Sequence, residues 1–153
     1  MSRTLGSIIY FPGCCSDLGG IEVSVVPKIL LMDDEEGIRD VAGKIFTYLN
    51  CDVEMAADGE EMVERFLKAH ESGRSFDLLI LDLSVPGGMG GLETMKVLQE
   101  INPDVAAVLS TGFSDDSKVG DLRQLGFRGV LPKPYRIDDI RELLGELVPG
   151  YSG

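Results

Sequence analysis

From Pro27 onward, five short apolar runs alternate with five amphipathic stretches, and this alternation restricts the chain more than any other feature. The runs are "KILLM" (28–32), "CDVEMA" (51–56), "FDLLILDL" (76–83), "DVAAVLS" (104–110) and "GVLP" (129–132). Between and after them, apolar residues recur every three or four positions, the period of a helix with one buried face. Ile38, Val41, Ala42, Ile45 and Leu49 form the first such stripe. Met62, Val63, Phe66 and Leu67 form the second, within Gly59 to about Gly73. Leu92, Met95, Leu98 and Ile101 form the third; Val119, Leu122 and Leu125, within Asp115–Leu125, the fourth. Ile137, Ile140, Leu143, Leu144 and Leu147 form the last. Strand-first alternation predicts βαβ crossovers, hence an α/β fold with a five-stranded parallel sheet flanked by five helices on both faces. "FDLLILDL" is apolar at nearly every position, which predicts a strand covered on both sides.

At 153 residues the chain suits one domain with a substantial core. Residues 27–149 carry the pattern; 1–26, with the loop composition "PGCCSDLGG", read as a leader or linker, and 150–153 as a short tail. Acids outnumber bases 26 to 14, a formal net charge of -12. That balance argues against a nucleic-acid groove, which needs clustered Lys and Arg to replace phosphate counterions, and equally against an anionic membrane surface. It fits a soluble cytoplasmic protein, or one whose site holds a cation. No apolar run approaches the ~20 residues that span a bilayer, and "MSRTLGSIIYFPG" is a poor signal peptide. Three cysteines, Cys14, Cys15 and Cys51, lack metal-site or disulfide-framework spacing and read as reduced thiols.

Sites in open parallel α/β sheets form beyond the C-terminal ends of the strands. The first predicted strand ends in Asp33 and Asp34, the third in Asp82, the fourth in Ser110 and Thr111, and the fifth in Lys133 and Pro134. Three carboxylates, two hydroxyls and an ammonium therefore converge on one edge. Asp82 closes an apolar strand, where a carboxylate is costly unless paired or metal-bound. Acids ahead of a helix also serve as caps; Glu35 and Glu36 fall in the first turn and read that way, whereas Asp33 and Asp34 sit earlier, on the strand exit. With Asp82 they make a negative focus suited to a hard divalent cation, Mg²⁺ or Mn²⁺. "PGGMGG" lacks the Lys-Ser/Thr of a P-loop and reads as a flexible turn beside Asp82. The chemistry suggested is phosphoryl transfer onto Asp82, with the metal and Lys133 neutralising charge on the transferring group.

The segments "ILLMDDEEGIR", "DLLILDLSVPGGMGG", "VLSTGFSDD" and "GVLPKPY", in this order at strand ends, resemble those of bacterial response-regulator receiver domains. The resemblance covers about Lys28 to Val148. It implies a doubly wound, flavodoxin-like sheet in the order 2-1-3-4-5. It implies that Asp82 takes a phosphoryl group from the phosphohistidine of a histidine kinase or a histidine phosphotransfer protein. Asp34 would ligate Mg²⁺ directly, Asp33 would help through water, and the backbone carbonyl of Ser84 would complete the shell. Ser110 would be the switch hydroxyl, Lys133 would contact the phosphoryl group, and the Lys133–Pro134 bond would be cis.

Two departures qualify the resemblance. The switch position three residues before Lys133 is usually aromatic and here is Val130, which puts coupled ring rotation in doubt. The loop after Pro86 is one residue longer than usual, a form associated with receivers of hybrid histidine kinases; "GSIIYFP" resembles the last strand of a kinase ATPase domain. A receiver that only docks partners is an alternative, against which the complete set Asp34, Asp82, Ser110 and Lys133 argues. A haloacid-dehalogenase-like phosphatase would need an acid at Ser84, and a flavin module would need a phosphate loop where "DDEEG" stands. The sole histidine, His70, is expected to face solvent near a helix end. Neither Ser84 nor Gly112, which resemble the residues lining the path of hydrolytic water, can orient that water, so a long-lived aspartyl-phosphate is expected.

Overall fold

A computed structural model describes residues 3–5, 8–10, 26–112 and 119–151. Its strands are β1 (Arg3–Leu5), β2 (Ile8–Tyr10), β3 (Lys28–Met32), β4 (Asp52–Ala56), β5 (Leu78–Asp82), β6 (Ala107–Thr111) and β7 (Gly129–Pro132). Its helices are α1 (Glu36–Tyr48), α2 (Gly59–Glu71), α3 (Gly91–Ile101), α4 (Val119–Gln124) and α5 (Ile137–Leu147). All five apolar runs form strands. They pair in parallel in the order β4-β3-β5-β6-β7, which is 2-1-3-4-5 among themselves.

Side chains alternate across each strand, and the core divides accordingly. Ile29, Leu31, Leu78, Ile80, Val108 and Leu131 point to the face covered by α1 and α5, against Phe46, Ile140, Leu143 and Leu144. Leu30, Met32, Leu79, Leu81, Ala107 and Leu109 point the other way, against Met62, Phe66, Met95, Leu98 and Leu122. Every residue of β5 is buried, as expected for a central strand with helices on both sides.

Three details differ from the sequence reading. Residues 3–5 and 8–10 form an antiparallel hairpin that extends the sheet beyond β7, pairing Ile9 with Val130 and Tyr10 with Gly129. Three-residue strands are too short to show a period; "GSIIYFP" resembles a strand, but nothing in the pattern shows that it pairs with β7. Val41, Leu67 and Ile137 were assigned to buried stripes but are exposed; Phe46 and Ala69 fill the core in their helices instead. The start of the predicted fourth helix, from Asp115, and the "PGCCSDLGG" loop lie outside the described residues.

Candidate phosphoacceptor site

The sheet register sets the site. Met32 pairs with Leu81, so Asp33 leaves β3 beside the end of β5. Asp82 pairs with Ser110, and Thr111 with Pro132, so four chain exits stand side by side. The amide of Lys133 donates to the carbonyl of Thr111 at 3.0 Å, which carries the β7 exit back toward β6. From there the Lys133 ammonium reaches Asp33 Oδ2 at 2.7 Å and Asp82 Oδ1 at 3.1 Å.

Asp33 is fully buried and has two tasks. Its Oδ1 accepts from the amide of Glu35 at 2.9 Å, holding the turn into α1, while its carbonyl accepts from Arg39 Nη1 at 2.7 Å. Glu35 occupies the N-cap position of α1 without a side-chain cap, so Asp33 performs part of the capping that the following acids were expected to do. Asp34 is exposed at the rim. One oxygen from each of Asp33, Asp34 and Asp82 lies within 4.8 Å of the others.

Two of these carboxylates, Asp33 and Asp82, share one ammonium. Burial raises the Asp82 carboxyl above its ordinary range, and the charge of Asp33 adds to this; Lys133 and the Ser84 amide oppose the rise without cancelling it. Burial works against the Lys133 charge, but Asp33 and Asp82 outweigh it, so the ammonium is held on more firmly than in an ordinary lysine. Asp33 Oδ2 is buried and receives no aligned hydrogen bond, although the ammonium lies near it as an ion pair. A surplus of hard oxygen donors, three carboxylates against one ammonium, fits a small divalent cation.

The remaining predicted residues take up the surroundings. Ser84 is exposed, and its amide approaches Asp82 Oδ1 at 3.5 Å. Ser110 and Thr111 are buried on β6. Val130 is buried in β7, paired with Leu109 on one side and Ile9 on the other. The Lys133–Pro134 peptide bond is cis. His70 is exposed and stacks on Phe66.

Two features escaped the sequence reading. Tyr135 is buried and its hydroxyl lies 2.7 Å from Ser110 Oγ, one hydroxyl donating to the other; burial pushes its phenol well above the ordinary value. The motif "KPY" could have flagged it, since it stands two residues beyond Lys133. The glycine-rich loop is also more constrained than a flexible turn. Pro86 and Gly87 (φ 77) occupy the middle of a turn closed by the Gly88 amide on the Val85 carbonyl, the arrangement of a type II turn. Gly91 then opens α3 against β5, where an added Cβ would lie 2.6 Å from the Asp82 carbonyl oxygen.

Residues 29–145 match the response regulator receiver domain. The chain is 28% identical over 122 residues to sporulation initiation phosphotransferase F of Bacillus subtilis, a match covering 80% of this chain and 94% of that protein. It is 24% identical over 127 residues to the osmosensing histidine protein kinase SLN1 of Saccharomyces cerevisiae, covering 82% of this chain but only 10% of that one. Among solved structures, the chemotaxis protein CheY4 of Vibrio cholerae superposes with a TM-score of 0.72 at 25% identity, over 81% of this chain and 100% of that chain. The sheet order, the acidic cluster and these likenesses converge: the chain belongs to the response regulator receiver domain family, the signal receivers of two-component phosphorelays.

Proposed function

We propose that Asp82 accepts a phosphoryl group from the phosphohistidine of a histidine kinase or a histidine phosphotransfer protein. The observation that carries this reading is one ammonium, Lys133, bridging two buried carboxylates on neighbouring strands, Asp33 and Asp82. In the transfer an oxygen of Asp82 forms the new P–O bond while the P–N bond to the donor imidazole breaks. The electron pair leaves with the imidazole, which takes up a proton. Among the described residues no group donates a hydrogen bond to Asp82 Oδ2, which leaves that oxygen open for attack. Mg²⁺ or Mn²⁺, held by Asp33, Asp34, Asp82 and the Ser84 carbonyl, would neutralise charge on the phosphoryl oxygens. Lys133 then pairs with the phosphoryl group, and Ser110 and Thr111 lie one strand away to donate to it. These new contacts favour one of two arrangements of the neighbouring loops. Val130, with no ring to rotate, leaves that change to Ser110 and its partners.

The setting proposed is cytoplasmic, with the donor protein as partner and no nucleic acid bound by this chain. Among the described residues no helix is long and apolar enough to cross a membrane.

Incubation with acetyl phosphate tests the reading. One phosphoryl group per chain should appear by intact mass with Mg²⁺ and fail to appear with a chelator. Metal-independent labelling, or steady release of phosphate at many turnovers per minute, would contradict it. Ser84 and Gly112 are both exposed and offer no long amide or carboxylate to orient a hydrolytic water. After removal of the phosphodonor the phosphoryl group should therefore persist for minutes or longer; decay within seconds would refute that expectation.

A further inference from the structure

We infer that the Tyr135 hydroxyl is the resting-state partner of Ser110, and so a positioning residue that sets how readily the receiver moves to its phosphorylated form. The inference rests on the reading of Asp82 as phosphoacceptor.

Ser110 is completely buried and Tyr135 is 8% exposed, so water is a poor substitute for either hydroxyl's partner. Each finds the other at 2.7 Å. Ser110 stands directly across from Asp82 in the β5–β6 register, yet among the described residues Asp82 takes its contacts from Lys133 and Ser84 and none from Ser110. The serine is thus satisfied by the β7 exit before any phosphoryl group arrives. A phosphoryl oxygen only accepts hydrogen bonds, and a serine has one proton to donate. In the direction in which Ser110 donates to Tyr135, handing that proton to a phosphoryl oxygen breaks the bond. The tyrosine bond therefore stabilises the resting arrangement. Val130, where a switching ring would be expected, offers no competing hydroxyl to Ser110.

Tyr135→Phe keeps the ring and its burial and removes one oxygen. In the resting state Ser110 is then left buried without its partner, whereas in the phosphorylated state it is satisfied by the phosphoryl group. Calorimetric titration with beryllofluoride and Mg²⁺, a phosphoryl mimic, reads the difference. Tyr135→Phe should bind about tenfold more tightly than wild type, the size expected when a buried hydroxyl loses its partner in the free state only. In a Ser110→Ala background the same substitution should change affinity by less than about twofold, because the effect passes through Ser110. A ring-packing effect would persist there. Equal or weaker binding by Tyr135→Phe, or an effect that survives Ser110→Ala, would overturn the inference while leaving Asp82 as phosphoacceptor. Wild-type protein that does not bind beryllofluoride at all would overturn both.

Discussion

Asp82 ends a strand whose other four residues are buried leucines and isoleucine, so its charge persists there only through Lys133 and the polar rim. Its carboxyl is raised, which means that ionisation costs folding stability. That cost is absent below the ordinary carboxylate range and sets in as pH rises through the raised value. Asp82→Asn should therefore melt higher than wild type in metal-free buffer at neutral pH, by roughly 2–4 °C for each ~1 kcal/mol of strain removed. The gap should close toward acid pH and shrink when Mg²⁺ is added. A lower melting temperature for the variant in metal-free buffer would count against the assignment. Lys133 has the opposite sign. Its raised value stabilises the fold at neutral pH, and that stability is lost only as pH rises through and beyond the lysine range. Lys133→Met leaves Asp33 and Asp82 together without a cation and should cost roughly 3 kcal/mol by chemical denaturation. Less should be lost when Asp82→Asn is already present; equal losses in both backgrounds would show that the two residues are uncoupled. The acids and the lysine were legible because charged residues closing apolar strands stand out in a sequence. Tyr135 was not, because an aromatic residue after a proline reads as ordinary core and its hydroxyl's partner comes from another strand.

The elements themselves follow closely from local pattern, and the exceptions have physical causes. α3 begins and ends where the run "GLETMKVLQEI" does, because Gly90 and Asn102 on either side adopt extended backbone. α1 departs from its expected stripe: Val41 is 51% exposed while Phe46 is fully buried, so a phenylalanine on the adjoining face outcompetes a valine for the same core. Periodicity identifies a helix better than the rotation at which it settles. Gly91 shows a constraint that no pattern carries. Its missing side chain lets α3 approach the Asp82 carbonyl, and the close neighbours are backbone and the methyl of Leu109. Gly91→Ala would force α3 off β5 and should destabilise the fold by roughly 1–3 kcal/mol, despite the better helix propensity of alanine. Because the shift acts at the Asp82 carbonyl, phosphorylation by acetyl phosphate should also slow. A variant as stable and as quickly phosphorylated as wild type would contradict this account of the loop.

At the scale of the whole molecule, the parallel sheet brings Asp33, Asp82, Ser110 and Lys133, separated by up to 100 positions in sequence, into one site. Their convergence was legible because parallel strands place all their C-terminal ends on one edge of the sheet. The hairpin β1–β2 was not, since six residues with ordinary composition acquire a role only by pairing with β7. Removing residues 1–12 should speed hydrogen exchange in β7 while leaving β3 and β5 protected, because only β7 loses a neighbour; unchanged exchange in β7 would show that the hairpin adds no protection there. The central claim is that this assembled edge exists to place a phosphoryl group on Asp82. Its most direct test is intact-mass measurement of wild type and Asp82→Asn after incubation with acetyl phosphate and Mg²⁺. Wild type should gain one phosphoryl group and the variant none; equal labelling of both would contradict the claim.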